Sequence, residues 1–135
     1  MKNQTHLDTI RTYYEGCSTG NIELMKSTFT PDVTHYFTVG KPVRGADILA
    51  NFWRDFSPEV RRTVWTVDHG IVDGDEAVIE WTQVTTLEDG RSQEILRGAE
   101  WFKIRGGKIA EIRAYFLLTQ DQRESELIEF PYAER

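Results

Sequence analysis

Three polar side chains in this sequence could together perform acid–base chemistry: Tyr13, His35 and Glu100. A histidine titrates near neutral pH and can move a proton. A tyrosine hydroxyl or a carboxylic acid can donate a hydrogen bond to a substrate oxygen. Because each of the three lies among apolar residues with a regular period, we expect them in buried elements that could bring them together.

The first third of the chain has the pattern of two helices. Apolar residues at helical spacing predict a first helix over residues 6–17. Gly20 can end this helix, and Asn21 can cap a second, short helix that runs to Phe29 and is broken at Pro31. Tyr13 and Tyr14 are adjacent on the first helix, and either one could be the inward tyrosine.

A strand and a third helix follow. Alternation over residues 33–39 predicts a strand with Val33, His35 and Phe37 on its inner face. A helix is then predicted from about Gly45 to Phe56, and Ser57–Pro58 would end it. The predicted buried side of this helix has five residues: Ile48, Leu49, Phe52, Trp53 and Phe56.

The second half of the chain switches to a period of two. Strands are predicted at residues 63–72, 77–87, 92–105 and 108–118, and the glycine turns between them indicate hairpins. Helices followed by strands are typical of an α+β domain, here three helices on a strongly curved antiparallel sheet. An apolar pocket is expected between helices and sheet. The charged tail, residues 119–135, is predicted to have only a weak helical turn at Ser125–Ile128.

Alternation also assigns side chains to the pocket. Glu100 shares its face with Phe102 and Ile104. We favour Trp81 facing inward, because that orientation leaves Glu80 in water; the opposite orientation would bury a second carboxylate. The predicted ligand-contacting residues are Tyr14, Phe37, Phe52, Trp81, Phe102, Ile112, Ala114 and Phe116.

Structural roles compete with these functional ones. Glu100 could pair with His35 inside the pocket, or form an ordinary salt bridge with Arg97 or with a lysine near the strand edge. His35 could simply bond to Tyr13 or to water. Other residues are expected to be structural: Asp68 and His69 at the surface, Cys17 as a buried thiol, and Trp53, Trp65 and Trp101 in packing or a dimer face.

Composition narrows the classes of partner. The 135 residues suit a single domain, and the formal net charge of −6 disfavours nucleic acid and anionic membranes. One cysteine and three scattered histidines predict no disulfide and no metal site. These features predict a cytoplasmic protein with no cofactor.

The order of several short motifs resembles a known superfamily. They are Gly20–Asn21, Phe29–Val33, Pro42–Gly45, Gly74–Asp75, Gly107–Ile109 and Arg113–Phe116. Their spacing over about residues 5–118 is similar to the nuclear transport factor 2-like (cystatin-like) superfamily, most of all to its SnoaL-like bacterial members. The resemblance implies a cone-shaped α+β fold with a deep pocket, and usually a homodimer through the open sheet face. On that face we expect Trp101, Tyr115 and Val84.

The resemblance does not imply one reaction, since its members include isomerases, cyclases, hydrolases, dehydratases and binding modules. By similarity to ketosteroid isomerase, Tyr13 falls on that family's tyrosine and Glu100 on its protonated acid. The base position falls on Phe37, so His35 becomes the candidate base. Ala114 replaces an aspartate that the epoxide hydrolase relatives need. The expectation is proton transfer on a small apolar carbonyl compound, with a non-catalytic binding or dimeric assembly module as the alternative.

Overall fold

Two helices joined by a glycine turn begin the chain. In the computed structural model, which describes residues 2–56, 62–116 and 125–133, α1 spans Lys2–Thr19 and α2 spans Ile22–Ser27. Gly20 adopts a φ of 67°, which favours glycine, and ends α1. The Asn21 side chain accepts a hydrogen bond from the amide of Leu24, so the predicted cap is confirmed.

The next elements are β1 (Phe29–Tyr36), the short β2 (Val43–Arg44) and α3 (Ala46–Arg54). Phe29 opens β1 and pairs with Ile109, so its predicted place in the second helix is wrong. Tertiary pairing overrides the helical spacing at this position. The register of β1 then shifts between Phe29 and Thr34, around Pro31, which has no amide hydrogen for the ladder.

Four long strands complete the sheet: β3 (Thr63–Asp73), β4 (Glu76–Thr86), β5 (Gln93–Arg105) and β6 (Lys108–Tyr115). The sheet order is β2-β1-β6-β5-β4-β3, and β3 to β6 pair antiparallel as the predicted hairpins require. However, β1 lies parallel to β6, so the sheet is mixed rather than wholly antiparallel. No hairpin joins β1 to β6, and therefore no turn dictates their direction. The α+β class is confirmed.

The buried side of α3 is narrower than predicted. Leu49 and Ala50 are fully buried, but Ile48 is 65% exposed. A stripe through Leu49, Phe52 and Phe56 follows helical spacing, and Ile48 lies one residue outside it. The predicted stop at Ser57–Pro58 lies outside the described residues.

The inward faces of β4, β5 and β6 follow the predicted alternation. Ile79 and Trp81 are buried on β4, as are Glu100 and Phe102 on β5 and Ala114 on β6. The structure thus settles the ambiguous strand in favour of an inward Trp81. Glu80 is not simply in water, because the hydroxyl of Tyr132 donates a hydrogen bond to it.

Asp68 lies beside a bulge in β3, and its burial differs from the expectation. Pairing with β4 shifts between Val67 and His69, and Asp68 is fully buried rather than at the surface as expected. It accepts hydrogen bonds from Thr82 and Arg97, which lie on the face of the sheet opposite the core. Val67 faces the core with its partner Trp81, so alternation already directs Asp68 outward. The bulge then lets His69 follow on the same face.

The C-terminal segment covers this outer-face cluster. A short 3-10 helix, η1 (Glu126–Glu129), is capped by Ser125, close to the predicted helical turn. Arg97 donates to the carbonyl of Ile128, and its guanidinium lies 5.3 Å from the ring centroid of Tyr132. Among the described helices, none is long and apolar enough to cross a membrane.

Candidate active site

A cavity of about 330 Å³ lies between α1, α3 and the inner face of the sheet. Its wall includes the polar side chains of His35, Gln83 and Glu100. Its aromatic wall residues are Tyr13, Tyr14, Phe37, Phe52, Trp53, Phe56, Trp65, Trp81 and Phe116. The remaining lining residues are Cys17, Val39, Leu96 and Ala114. This volume is near the lower end for small-molecule pockets.

The structure places most of the predicted ligand-contacting residues on this wall, but not Phe102 and Ile112. Those two are register partners on β5 and β6, and both are completely buried in the core. The ring of Tyr13 covers Phe102, with 6.2 Å between their centroids. Their assignment to the pocket is therefore corrected, because alternation gives the face of a strand but not how far along it the cavity extends.

Three side chains meet at the inner end of the cavity: Tyr14 from α1, His35 from β1 and Glu100 from β5. The Tyr14 hydroxyl donates to Oε1 of Glu100. Nε2 of His35 lies 3.1 Å from Oε2 of the same carboxyl group. Glu100 is only 5% exposed, and its two partners satisfy both oxygens of a group that would be costly to bury alone.

Arg97 does not pair with Glu100. Alternate residues of β5 point to opposite faces, so Glu100 faces the cavity while Arg97 faces outward. Its guanidinium lies 3.4 Å from Oδ2 of Asp68 and 2.8 Å from Oγ1 of Thr82. The salt-bridge alternative for Glu100 is therefore wrong, whereas the pairing of His35 with Glu100 is present.

The contact with Glu100 assigns a role to each nitrogen of His35. With Glu100 ionised, its carboxylate can only accept a hydrogen bond, so Nε2 of His35 is then the donor. Nδ1 of the ring is buried and has no hydrogen-bond partner in the described part of the chain. Phe37 stacks on the imidazole with centroids 4.3 Å apart, and Trp53 contacts it at 5.3 Å.

The two adjacent tyrosines differ in their partners. Tyr13 packs among the rings of Tyr14, Phe29 and Phe102 and makes no hydrogen bond to Glu100. Burial, and then the nearby Glu100, raises the pKa of Tyr14 well above its ordinary value. Burial raises the pKa of Tyr13 in the same way, and also that of the buried Cys17 thiol. Both hydroxyls are thus protonated donors at neutral pH.

Some wall residues were not selected from the sequence. Trp53 and Trp65 are expected from the sequence in packing or a dimer face, and Phe56 only on the buried side of its helix, yet all three line the cavity. Gln83 lies two residues after Trp81 on the same face of β4, but it is not among the predicted ligand contacts. Within the described ranges, no three metal-ligating side chains cluster.

Comparison with known proteins identifies the family. Residues 10–112 match the sequence model of the SnoaL-like domain. Comparison with curated proteins finds no match. Because the family match spans more than half of the chain, the chain belongs to the SnoaL-like domain family.

Solved structures agree with this fold. A protein of unknown function with a cystatin-like fold from Methylobium petroleophilum PM1 is 33% identical, with a TM-score of 0.73 over 90% of this chain and 82% of that chain. A candidate polyketide cyclase from Xanthomonas campestris pv. campestris is 20% identical, with a TM-score of 0.72 over 87% and 93%. TerC, co-crystallised with polyporic acid, is 21% identical, with a TM-score of 0.70 over 84% and 92%. The last two show the fold alone.

Proposed function

We propose that this SnoaL-like protein is a cofactor-independent enzyme that moves a proton next to the carbonyl group of a small, mostly apolar molecule. The reaction would be of the isomerase, cyclase or lyase type. The observation that carries the proposal is the buried His35–Glu100–Tyr14 contact at the end of an aromatic cavity of about 330 Å³. The co-crystallisation of TerC with polyporic acid supports a small organic ligand for this fold.

His35 is the proposed base. Its Nδ1 is the nitrogen left without a partner among the described residues, so it is the atom that accepts the substrate proton. Oε2 of Glu100 holds the hydrogen on Nε2 and stabilises the imidazolium that forms. The carboxylate of a serine-protease triad supports its histidine by the same physical means.

Removal of the proton leaves negative charge on the substrate oxygen, and that charge needs a donor. Trp81 lines the cavity, and its indole N–H is buried with no partner in the described ranges. A Cβ on Gly98 would overlap the indole, with Cε2 at 2.8 Å, so the glycine allows Trp81 to lie flat against β5. Tyr13, the donor expected from the sequence, stays a second candidate because it lines the same cavity.

Deuterium exchange next to the carbonyl of small ketones in D2O, followed by NMR, tests the proposal before the substrate is known. The His35→Gln and Glu100→Gln variants should each lower the exchange rate by about 10²- to 10⁴-fold, the usual range for a lost acid–base group. The proposal is wrong if both variants keep the full rate.

The alternative is a non-catalytic binding module. One observation favours it: His35 is completely buried, and both oxygens of Glu100 are already occupied. A binding module would retain ligands in the cavity but would show no exchange with any carbonyl compound tested.

We further propose that two copies associate through the outer face of the sheet. Trp101 is 39% exposed and Tyr115 is 53% exposed on that face, while Val84 is half-buried. Exposed aromatic area on one sheet face is typical of an interface. Light scattering should give the mass of a dimer at micromolar concentration, and a monomer would contradict this proposal.

A further inference from the structure

Gln83 is a polar residue of the cavity wall that the proposed proton transfer does not use. It lies on β4 and pairs with Leu96, whereas Ile79 of the same strand pairs with Glu100. Gln83 and Ile79 are four residues apart along β4, which corresponds to a distance of about 13 Å along the strand. Gln83 therefore lies at the opposite end of the cavity from the His35–Glu100–Tyr14 contact.

The neighbouring Trp65 determines the orientation of this amide. The indole Nε1–H of Trp65 donates to Oε1 of Gln83 at 3.1 Å. An indole nitrogen can only donate, so the atom facing it must be the amide oxygen. The NH2 group of Gln83 is then directed away from Trp65, and it has no hydrogen-bond partner in the described part of the chain. The NH2 group of Gln83 is thus a hydrogen-bond donor with a fixed orientation, at the end of the cavity that lies far from Glu100.

The wall between the two ends is apolar. Trp81 lies between the levels of Gln83 and Glu100, its ring contacts Phe116 at 5.7 Å, and Leu96 faces Gln83 across the strand pair. Apart from the indole N–H of Trp81, which is the proposed donor to the reacting oxygen, the wall between Gln83 and Glu100 that these residues form is apolar. The substrate class that matches this wall has an apolar middle with one oxygen at each end.

We propose that Gln83 determines specificity by donating a hydrogen bond to an acceptor oxygen at the far end of the substrate. The inference rests on the proposed function, because it takes the reacting carbonyl to lie at His35 and Glu100. A ligand without the far oxygen would desolvate the Gln83 NH2 group and give it no partner. A lost hydrogen bond of this kind corresponds to a difference in affinity of about two- to tenfold.

Two biphenyl probes provide the test. Both carry a para-acetyl group as the carbonyl, and the far para position carries either methoxy, an acceptor, or ethyl, which has the same shape. Isothermal titration calorimetry gives Kd for each probe, and their ratio is the selectivity for the acceptor. The wild-type protein should prefer the methoxy probe by about two- to tenfold.

Gln83→Met, which keeps the length of the side chain, should remove the preference. Trp65→Phe should also lower it, because the amide is then free to turn. The matched control is Gln93→Met on the exposed start of β5, which should leave the preference at the wild-type value. The ethyl probe reports folding, since it should bind the Gln83→Met variant at least as tightly as the wild type.

Each result has one interpretation. Equal binding of both probes to the wild type, or a preference that survives Gln83→Met, overturns the role of Gln83. Glu100→Gln should leave the ratio of the two affinities unchanged, but it should lower the rate of deuterium exchange at the acetyl group of both probes. If Glu100→Gln keeps the full exchange rate, the carbonyl site of the proposed function fails while the Gln83 contact stands. If neither probe binds, the carbonyl pocket itself is refuted, and the inference that rests on it falls.

Discussion

Removal of the hydroxyl that binds Glu100 is the perturbation whose magnitude the structure defines best. Tyr14→Phe deletes one oxygen and leaves the ring in place. Oε1 of Glu100 then loses its donor at a site that is 5% exposed, where water cannot readily replace it. A hydrogen bond to a charged group contributes about 1.5–3 kcal/mol, so we expect the free energy of unfolding to fall by about 2 kcal/mol.

This loss is large enough to measure by heat or by urea. At about 2.1 cal/mol/K per residue, unfolding of 135 residues carries an entropy of about 0.28 kcal/mol/K. A loss of about 2 kcal/mol therefore lowers Tm by about 7 °C. Urea unfolding followed by tryptophan fluorescence should show a lower midpoint with an unchanged slope.

Tyr13→Phe is the matched control, since the two tyrosines are neighbours on α1 and both are buried. The Tyr13 hydroxyl makes no bond to Glu100, so its loss should cost no more than about 1 kcal/mol. The reasoning is refuted if Tyr13→Phe costs as much as Tyr14→Phe, or if Tyr14→Phe leaves Tm unchanged. A double-mutant cycle with Glu100→Gln should give a coupling energy of at least about 0.5 kcal/mol, as residues in contact do.

Three further predictions concern the outer cluster, the cavity wall and pH. Arg97→Met removes the guanidinium that lies 3.4 Å from Oδ2 of the buried Asp68 and should cost about 3–5 kcal/mol in urea unfolding; a loss below about 1 kcal/mol would contradict this. Gly98→Ala forces a methyl group against the Trp81 indole, so the free energy of unfolding should fall by about 1–3 kcal/mol. Ligand binding measured by calorimetry should also weaken, and unchanged binding would contradict a fixed position of the indole in the cavity wall. Because the folded-state pKa of Tyr14 is raised, the stability from this shift is full below about pH 10 and is lost as pH rises through the folded-state pKa. The tyrosinate absorbance of the folded protein should therefore contain a late component from the buried tyrosines. Tyr14→Phe should reduce this component and leave the share of Tyr13, and a titration identical to that of the wild type would contradict the shift.

The sequence predicted the local elements well, because their signals are local. Helical spacing, the Asn21 cap and the glycine turns depend on neighbours within a few residues, and all of them are present in the structure. Alternation along β5 was sufficient to place Glu100 and Phe102 on the inner face, because the side-chain period of a strand does not depend on its partner.

The misplaced residues depend on contacts between distant parts of the chain. Asp68 was expected at the surface, but it lies beside a bulge, pairs with Arg97 on the outer face and is covered by the C-terminal segment. Phe29 joins β1 because Ile109, eighty positions later in the chain, offers it a strand partner. Neither the bulge nor this pairing leaves a local pattern in the sequence.

In the candidate site too, local sequence patterns predict some features, and contacts between distant parts of the chain decide the others. From residue types and periods alone, the sequence determined that a histidine, a glutamate and a tyrosine would face one apolar interior. Only the tertiary structure decided that Tyr14 rather than Tyr13 reaches Glu100, that Arg97 binds Asp68 instead, and that Phe102 and Ile112 lie beyond the cavity. The physical reason is that periodicity assigns a side chain to a face, whereas a hydrogen bond of about 3 Å depends on how separate elements pack against each other.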